Sequence, residues 1–575
     1  MAGLYDGENP LQRRQRYEKM RAAMVSARRG GGWDSHWREI AEYIYPRRYR
    51  GSTSDTNKGT KTNQSIVDST AKFAAKTLQS GLHAGITSPA RPWFKLGTPD
   101  PDLAEFGPVK EWLHIVTQRM YAVLAGSNAY NGLHSLYLDY GLFGVSPMAL
   151  FDDDQDLVRS YVYAAGTYAV SLDARGRVST FVREYRLSVR QIVEIFAATG
   201  ARGLDRSRLP REVQTAWDRS EYETTFDICH LIKPNDHADG TRPWAGNLPW
   251  SSCYWVVGLE RPDVQFLRES GFHEFPIFCP RWEITGEDSY ATDSPGQTVL
   301  GDVKQLQTMM IRKGQLVEKA VDPPMKGPSS LRTQKVSLLA GDITYVDGLD
   351  ANKSFMPVHE PRLEGYQHLT QDAEETRYLI RRGFFEDLFL MLAQSERRGQ
   401  PITAREVEER HEEKLIALGP VLERTNDELL NPLIDRLFGM MGRAGLLPEA
   451  PPDIEDVKLR VEYVSILAQA QKLVGVSSLD RFTQTVLAMA PVVPAVLHKV
   501  NFNQILENYQ EALGTDPRTL NTDEEAAARE QQANQGQQAM QGAAAMKDAA
   551  SAVQATTAQP MAEGSPLDAI LNGVM

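Results

Sequence analysis

The side chains able to do covalent or metal chemistry are few and scattered. Cys229, Cys253 and Cys279 do not have zinc-site spacing, and three cysteines cannot form a disulfide framework. They read as buried, reduced thiols. The eleven histidines are spread along the chain and include no HExxH pair. Asp152, Asp153, Asp154 and Asp156 offer oxygens to a hard cation, but they lack the spaced glycine and terminal glutamate of a calcium loop and read as a solvated turn. GxGxxG, GxxxxGK[ST] and Gly-x-Ser-x-Gly are absent. GLHAGIT carries two glycines after a helix, with no lysine to reach a phosphate. The expectation is a protein that is not an enzyme and uses no cofactor or metal.

The remaining chemistry is electrostatic. Arg397 and Arg398, followed by Gln400, sit in a short polar joint, SERRGQPITA, between two long helical stretches. Lys304, Arg312, Lys313 and Lys319 lie on an earlier helix. In one copy all are ordinary surface charge. Repeated around a ring, the joint would make a circle of positive charge that touches phosphates without reading sequence. The net charge of -12 argues against a chain built to hold nucleic acid tightly.

The elements that position these groups follow from periodicity. With 575 residues and 42% hydrophobic content the chain can build several domains. Residues 11–48 are helical and broken at Gly30–Gly32, with Trp33, Trp37, Ile40 and Ile44 on one face and Pro46 as terminator. The helix from Ile66 carries Phe73 and small alanines on its apolar face. Gly81 and Gly85 either end it or let another element approach. A short strand follows around Trp93, Phe94 and Leu96, then helices over 109–143. Period-2 patches from 148 to 278 read as antiparallel strands, with DARG as a hairpin turn. Residues 1–295 are thus mixed α+β, without the strand–helix alternation of a doubly wound sheet.

Leu300, Val303, Leu306, Met310 and Val317 run along one side of a helix that Pro323 and Pro324 end. Short strands and turns lead to the helix pair of 374–440. Its first half, EETRYLIRRGFFEDLFLMLAQ, reads as one helix. Thr403 and Glu406 fit a capping box, and Val407, Leu415, Leu418, Leu422, Leu429, Leu433 and Leu437 form the second helix's stripe, bent at Pro420 and Pro432. Residues 461–515 read as mainly helical. The alanine- and glutamine-rich stretch from 521 has too few large apolar groups for a core. No apolar h-region or 18-residue apolar run is visible, so a cytoplasmic chain with no membrane association is expected.

Three segments in order, STAKFAAKTLQSGLHAGITSPARPWFKL (69–96), EDSYATDSPGQTVLGDVKQLQ (287–307) and ERRGQPITAREVEER with its long helix, make the chain resemble the portal, or head-to-tail connector, proteins of short-tailed bacteriophages of the T7-like kind. The similarity extends over roughly 15–520. It implies an α+β portal fold: wing 1–295, stem helix 296–324, clip 325–367, second stem helix 368–394, tunnel loop 395–403, long helix and wing return 404–449, crown 450–520, and a tail 521–575 that is disordered or an extended barrel. It also implies a homo-oligomeric ring, usually of twelve subunits, at the unique capsid vertex of the virion, assembled in the host cytoplasm. Double-stranded DNA would pass through it at packaging and ejection, with terminase, major capsid and scaffold proteins, and tail adaptors as partners. Arg397, Arg398 and Gln400 would then face the DNA. The competing reading is another phage head–tail adaptor or structural ring protein, which would lack the insertion between two stem helices.

Overall fold

The computed structural model describes residues 9–55, 59, 63–100, 103, 106–199, 203–236, 238, 245–259, 265–286, 288–326, 356–357, 364–390, 418–454 and 459–464, with 483–486, 488–489, 500 and 505. The chain divides into two compact units, Met1–Val474 and Gly475–Met575. In the second, the described residues are helical at 483–486 and 488–489, with Val486 buried.

The first unit is mixed α+β. Helix Pro10–Gly30 ends at the triple glycine, and Gly32, with φ of 82°, supplies the left-handed step into helix Trp33–Tyr43. Trp37, Ile40 and Ile44 are fully buried, as their spacing requires. The first helix lies on the main sheet through its arginines. Arg14 donates to the Val256 carbonyl at 2.8 Å, and Arg13 pairs with Glu269.

That sheet is antiparallel, in the order β10 (Arg268–Phe272), β9 (Trp250–Val256), β8 (Thr225–Pro234), β5 (Val178–Ser188), β4 (Tyr168–Leu172). The DARG turn joins β4 to β5. Asp173 accepts from the amides of Arg175 and Arg177, and Gly176 takes φ of 73°. A second sheet orders β11 (Ile277–Phe278), β2 (Met148–Asp153) and β3 (Leu157–Val162). A satellite core gathers helices Val189–Phe196 and Arg211–Asp218 around Ile192, Val193 and Val213.

The main core is formed by helices Thr70–Ile86, Gly107–Gly126 and Ala129–Phe143. The first of these begins at Thr70, where Asp68 accepts from its amide at 2.8 Å, not at Ile66. Phe73 is 64% exposed. The buried face is Ala71, Ala74, Ala75, Leu78 and Leu82, because the helix packs closely on Ala129–Phe143, where a Cβ at Gly141 would strike Leu78. Gly81 does not end the helix. It lets the ring of Phe389 lie against its backbone.

The second half departs from the sequence expectation at three places. Residues 461–463 are not helical: Arg460–Tyr463 is a strand, β14, antiparallel to β1 (Phe94–Gly97), with Phe94 opposite Tyr463. The stretch read as one helix from 374 is interrupted. Helix Glu364–Gly383 stops, Phe385 takes φ of 55°, and the chain is helical again over 386–390. Gly383 packs against Val299, and Phe384 and Phe389 are buried, so core packing of these two aromatic rings outweighs helix continuity. Val317, expected on the packed side of its helix, is 44% exposed.

The chain is helical from 418 to Arg443, with Leu418, Leu422, Leu429, Leu433 and Leu437 buried as the stripe requires. A π-helical turn at Asn426–Leu430 precedes Pro432, with the Asn431 amide donating to the Asn426 carbonyl. The wider turn relieves the proline ring's clash with the preceding turn and its missing donor. Val407, Leu415, Thr403 and Glu406 lie outside the described residues.

Candidate nucleic-acid interface

Helix Leu300–Val321 and helix Glu364–Gly383 pack against each other as an antiparallel arm. Its first helix is launched from the core. Ser294 donates to the Leu142 carbonyl at 3.1 Å and caps the short turn Pro295–Thr298, and a Cβ at Gly296 would strike the Leu142 backbone. Leu300, Val303 and Leu306 then bury their side chains in the body. After Val321 the chain pairs Met325–Lys326 (β12) with Met356–Pro357 (β13), and the second helix returns. Arg377 reaches the Met310 sulfur at 3.4 Å, and Lys313 lies 5.0 Å over the Tyr366 ring.

Beyond Gln307, no residue of helix Leu300–Val321 is buried. Ile311, Val317 and Val321 are exposed, Val321 by 80%, and on the facing helix Tyr378 and Leu379 are exposed too. Two packed helices alone cannot cover both sides of such residues.

The four expected surface charges share this helix but not one environment. Lys304 pairs with Glu39 and lies 5.7 Å over the Tyr43 ring, so it is engaged with the body. Arg312 is exposed and, among the described residues, reaches Gln315 at 3.4 Å, and Lys319 is exposed near the helix end. Arg397, Arg398 and Gln400 lie outside the described residues.

Sequence reasoning missed the knot where arm meets body. Gln307, 2% exposed, accepts from the amides of Val67 and Asp68 at 2.7 and 2.8 Å and donates to the Asp68 carbonyl at 2.8 Å. Arg377 grips the Asp68 carboxylate through two nitrogens, at 3.0 and 2.8 Å. Burial alone would raise the Asp68 carboxyl. Hydrogen bonds from Thr70 and Arg377 outweigh it and hold the group below its ordinary value. Asp68 before Ser-Thr was legible as a helix-start residue, but nothing in the sequence pairs it with a residue 309 positions away.

The groups with chemical potential are built into packing. Cys229, Cys253 and Cys279 are buried, and burial pushes the Cys229 and Cys279 thiols up. His230 stacks on Tyr254, 3.8 Å between ring centres, and bonds Ser252 at 2.9 Å. Asp153 accepts from the Asp156 amide at 3.1 Å in the β2–β3 turn. Among the described residues no three His, Cys, Asp or Glu converge as metal ligands, and no helix is long and apolar enough to cross a membrane.

Residues 14–520 match the family described as bacteriophage head to tail connecting protein. The chain is 42% identical over 502 residues to the portal protein of Salmonella phage epsilon15, covering 87% of this chain and 88% of that protein. It is 39% identical over 488 residues to the probable portal protein of Bordetella phage BPP-1, covering 85% of each. A solved chain from the virion of a native gene transfer agent particle is 12% identical with a TM-score of 0.32, covering 72% of this chain and 85% of that one. With its mixed α+β body and its two-helix arm, this chain belongs to the head-to-tail connecting, or portal, protein family of tailed bacteriophages.

Proposed function

We propose that this chain closes into a ring, of twelve copies, at the unique vertex of a phage capsid, and that the ring is the conduit through which double-stranded DNA enters at packaging and leaves at ejection. Assembly takes place in the host cytoplasm with scaffold and major capsid proteins. Terminase docks on the ring during filling, and tail adaptors dock afterwards. The chain performs no catalysis of its own. In this reading the body is the wing, the two arm helices are the stem, and β12–β13 belong to the clip.

One observation carries the reading. In a chain of this family, the distal arm exposes Ile311, Val317 and Val321, with nothing among the described residues of the same copy to cover them. A ring supplies the cover, because each arm lies between two neighbours. The insertion between the two arm helices also favours a portal over a tail adaptor. The net charge of -12 favours a wall that repels the DNA backbone and keeps it sliding, with Arg397 and Arg398 as weak guiding contacts.

Negative-stain imaging of the purified chain tests the ring: closed rings with a central channel are expected, and a compact monomer at micromolar concentration contradicts it. For the loop, Arg397→Ala with Arg398→Ala is expected to leave rings intact and impair packaging or genome retention. Unchanged packaged length and retention would sink the role of those two residues.

A further inference from the structure

Among the described residues, the knot of Asp68, Gln307 and Arg377 is the outermost polar tie between the body and the arm. Asp68 belongs to the body: it begins helix Thr70–Ile86, whose alanine face packs in the main core. Gln307 and Arg377 belong to the two arm helices and stand at the same level of the antiparallel pair, where Thr376 also meets Met309. Toward the body from this level, Leu300, Val303 and Leu306 on one helix and Ile380 on the other are buried. Away from it, helix Leu300–Val321 buries nothing, and over 366–375 the other helix buries only Ala373. The arm is therefore a lever with its fulcrum at these three side chains.

The knot is unusually well defined for a polar contact. Gln307 makes three hydrogen bonds to two successive backbone units, which fixes the position of its helix along the chain before Thr70. Arg377 makes a two-nitrogen clasp on one carboxylate, which fixes the second helix in rotation. No single apolar contact defines an angle as tightly, since dispersion and burial are non-directional.

A lever angle matters in a ring because every copy meets its neighbours through both body and arm, and closure demands one rotation per copy. Twelve and thirteen copies differ by only about 2° per copy. The arm runs about 20 Å beyond Gln307, at about 1.5 Å per helical residue, so a tilt of that size moves its tip by less than about 1 Å. Slack of one hydrogen bond is enough to blur the choice. Resting on the ring reading above, we infer that Asp68, Gln307 and Arg377 are positioning residues that set the arm's angle on the body and so select the number of copies that closes the ring.

Native mass spectrometry of the full chain, with image classification by rotational symmetry, tests this. Wild type is expected to show one dominant copy number. Gln307→Ala and Asp68→Asn are expected to lower that dominant fraction at least two-fold, in favour of neighbouring copy numbers or open arcs. Leu78→Ala, which weakens the core away from the knot, is expected to lower the melting temperature and leave the copy number alone. Variants at the knot with the wild-type distribution overturn the inference. If Gln307→Ala does not fold, Arg377→Lys, which keeps the charge and loses the two-nitrogen clasp, decides in the same way. Wild type without rings overturns the ring reading itself, which separates the two failures.

Discussion

The body and the arm treat charge and apolar surface in opposite ways. In the body, guanidinium groups are buried or half-buried and each is held by carboxylates or backbone carbonyls. Arg281 pairs with Glu428 and donates to the carbonyls of Asp288 and Gly176, both at 2.8 Å. Arg436 donates to the Leu150 carbonyl at 2.8 Å and pairs with Glu274 at 3.1 Å. Arg48 clasps the buried Asp139 at 2.5 and 2.6 Å. Each ties distant stretches of chain together. In the distal arm the charges stand in solvent and the apolar groups do as well. A buried charge demands partners within its own fold, whereas an exposed isoleucine demands a partner from elsewhere. The body's core closes within one copy, and in the proposed ring neighbouring copies cover the distal arm.

The largest effect should come from breaking the body. Arg281→Ala leaves the Glu428 carboxylate only the residue-281 backbone amide and takes the guanidinium donor from two carbonyls, and should cost about 3–5 kcal/mol in denaturant unfolding. A cost within experimental error would mean the body is not held by these ties. Next, Gly81→Ala forces a methyl into the ring of Phe389 and should cost about 1–3 kcal/mol. Combining it with Phe389→Leu should recover part of that loss, and strict additivity would argue against the contact.

Acid should act on the body in a stated window. Burial, with His134 second, pushes His83 down to about 4, and burial likewise lowers His134 and His230. Their folded values lie below their unfolded ones, so the unfolded chain binds protons first. The stability these neutral rings contribute is present above about pH 6.5 and is lost as pH falls toward 4. His83→Gln should flatten the fall in melting temperature over that range, and an unchanged slope would remove His83 from the account. The smallest effect on stability should be in the arm. Ile311→Ser and Val317→Ser should each change unfolding of the body by no more than about 0.5 kcal/mol, while weakening ring formation in sedimentation. A large loss of body stability would erase the distinction between the regions.

The sequence announced what periodicity carries. The stripe through Leu422, Leu429, Leu433 and Leu437, the Trp37–Ile40–Ile44 face and the DARG hairpin are local patterns, and all three are present. It was silent where distant partners decide. RVEY at 460–463 has alternating residues but is too short to stand out, and its ladder partner lies at 94–97. Phe73 looked like a core residue because its neighbours are apolar. The close approach of Gly141 to Leu78 turned the alanines inward instead. Gln307, an unremarked polar residue at a helical position, became legible as a junction only when Asp68 and Arg377 were placed beside it. The basic joint at Arg397 and Arg398 was legible as chemistry without geometry.

The central claim is that neighbouring copies cover the distal arm. Cysteine protection tests it most directly, because the three native thiols are buried and slow to react. Val317→Cys should be alkylated at least ten-fold more slowly in the assembled particle than in dissociated subunits. Equal rates in the two states would contradict the claim, whatever the particle's shape.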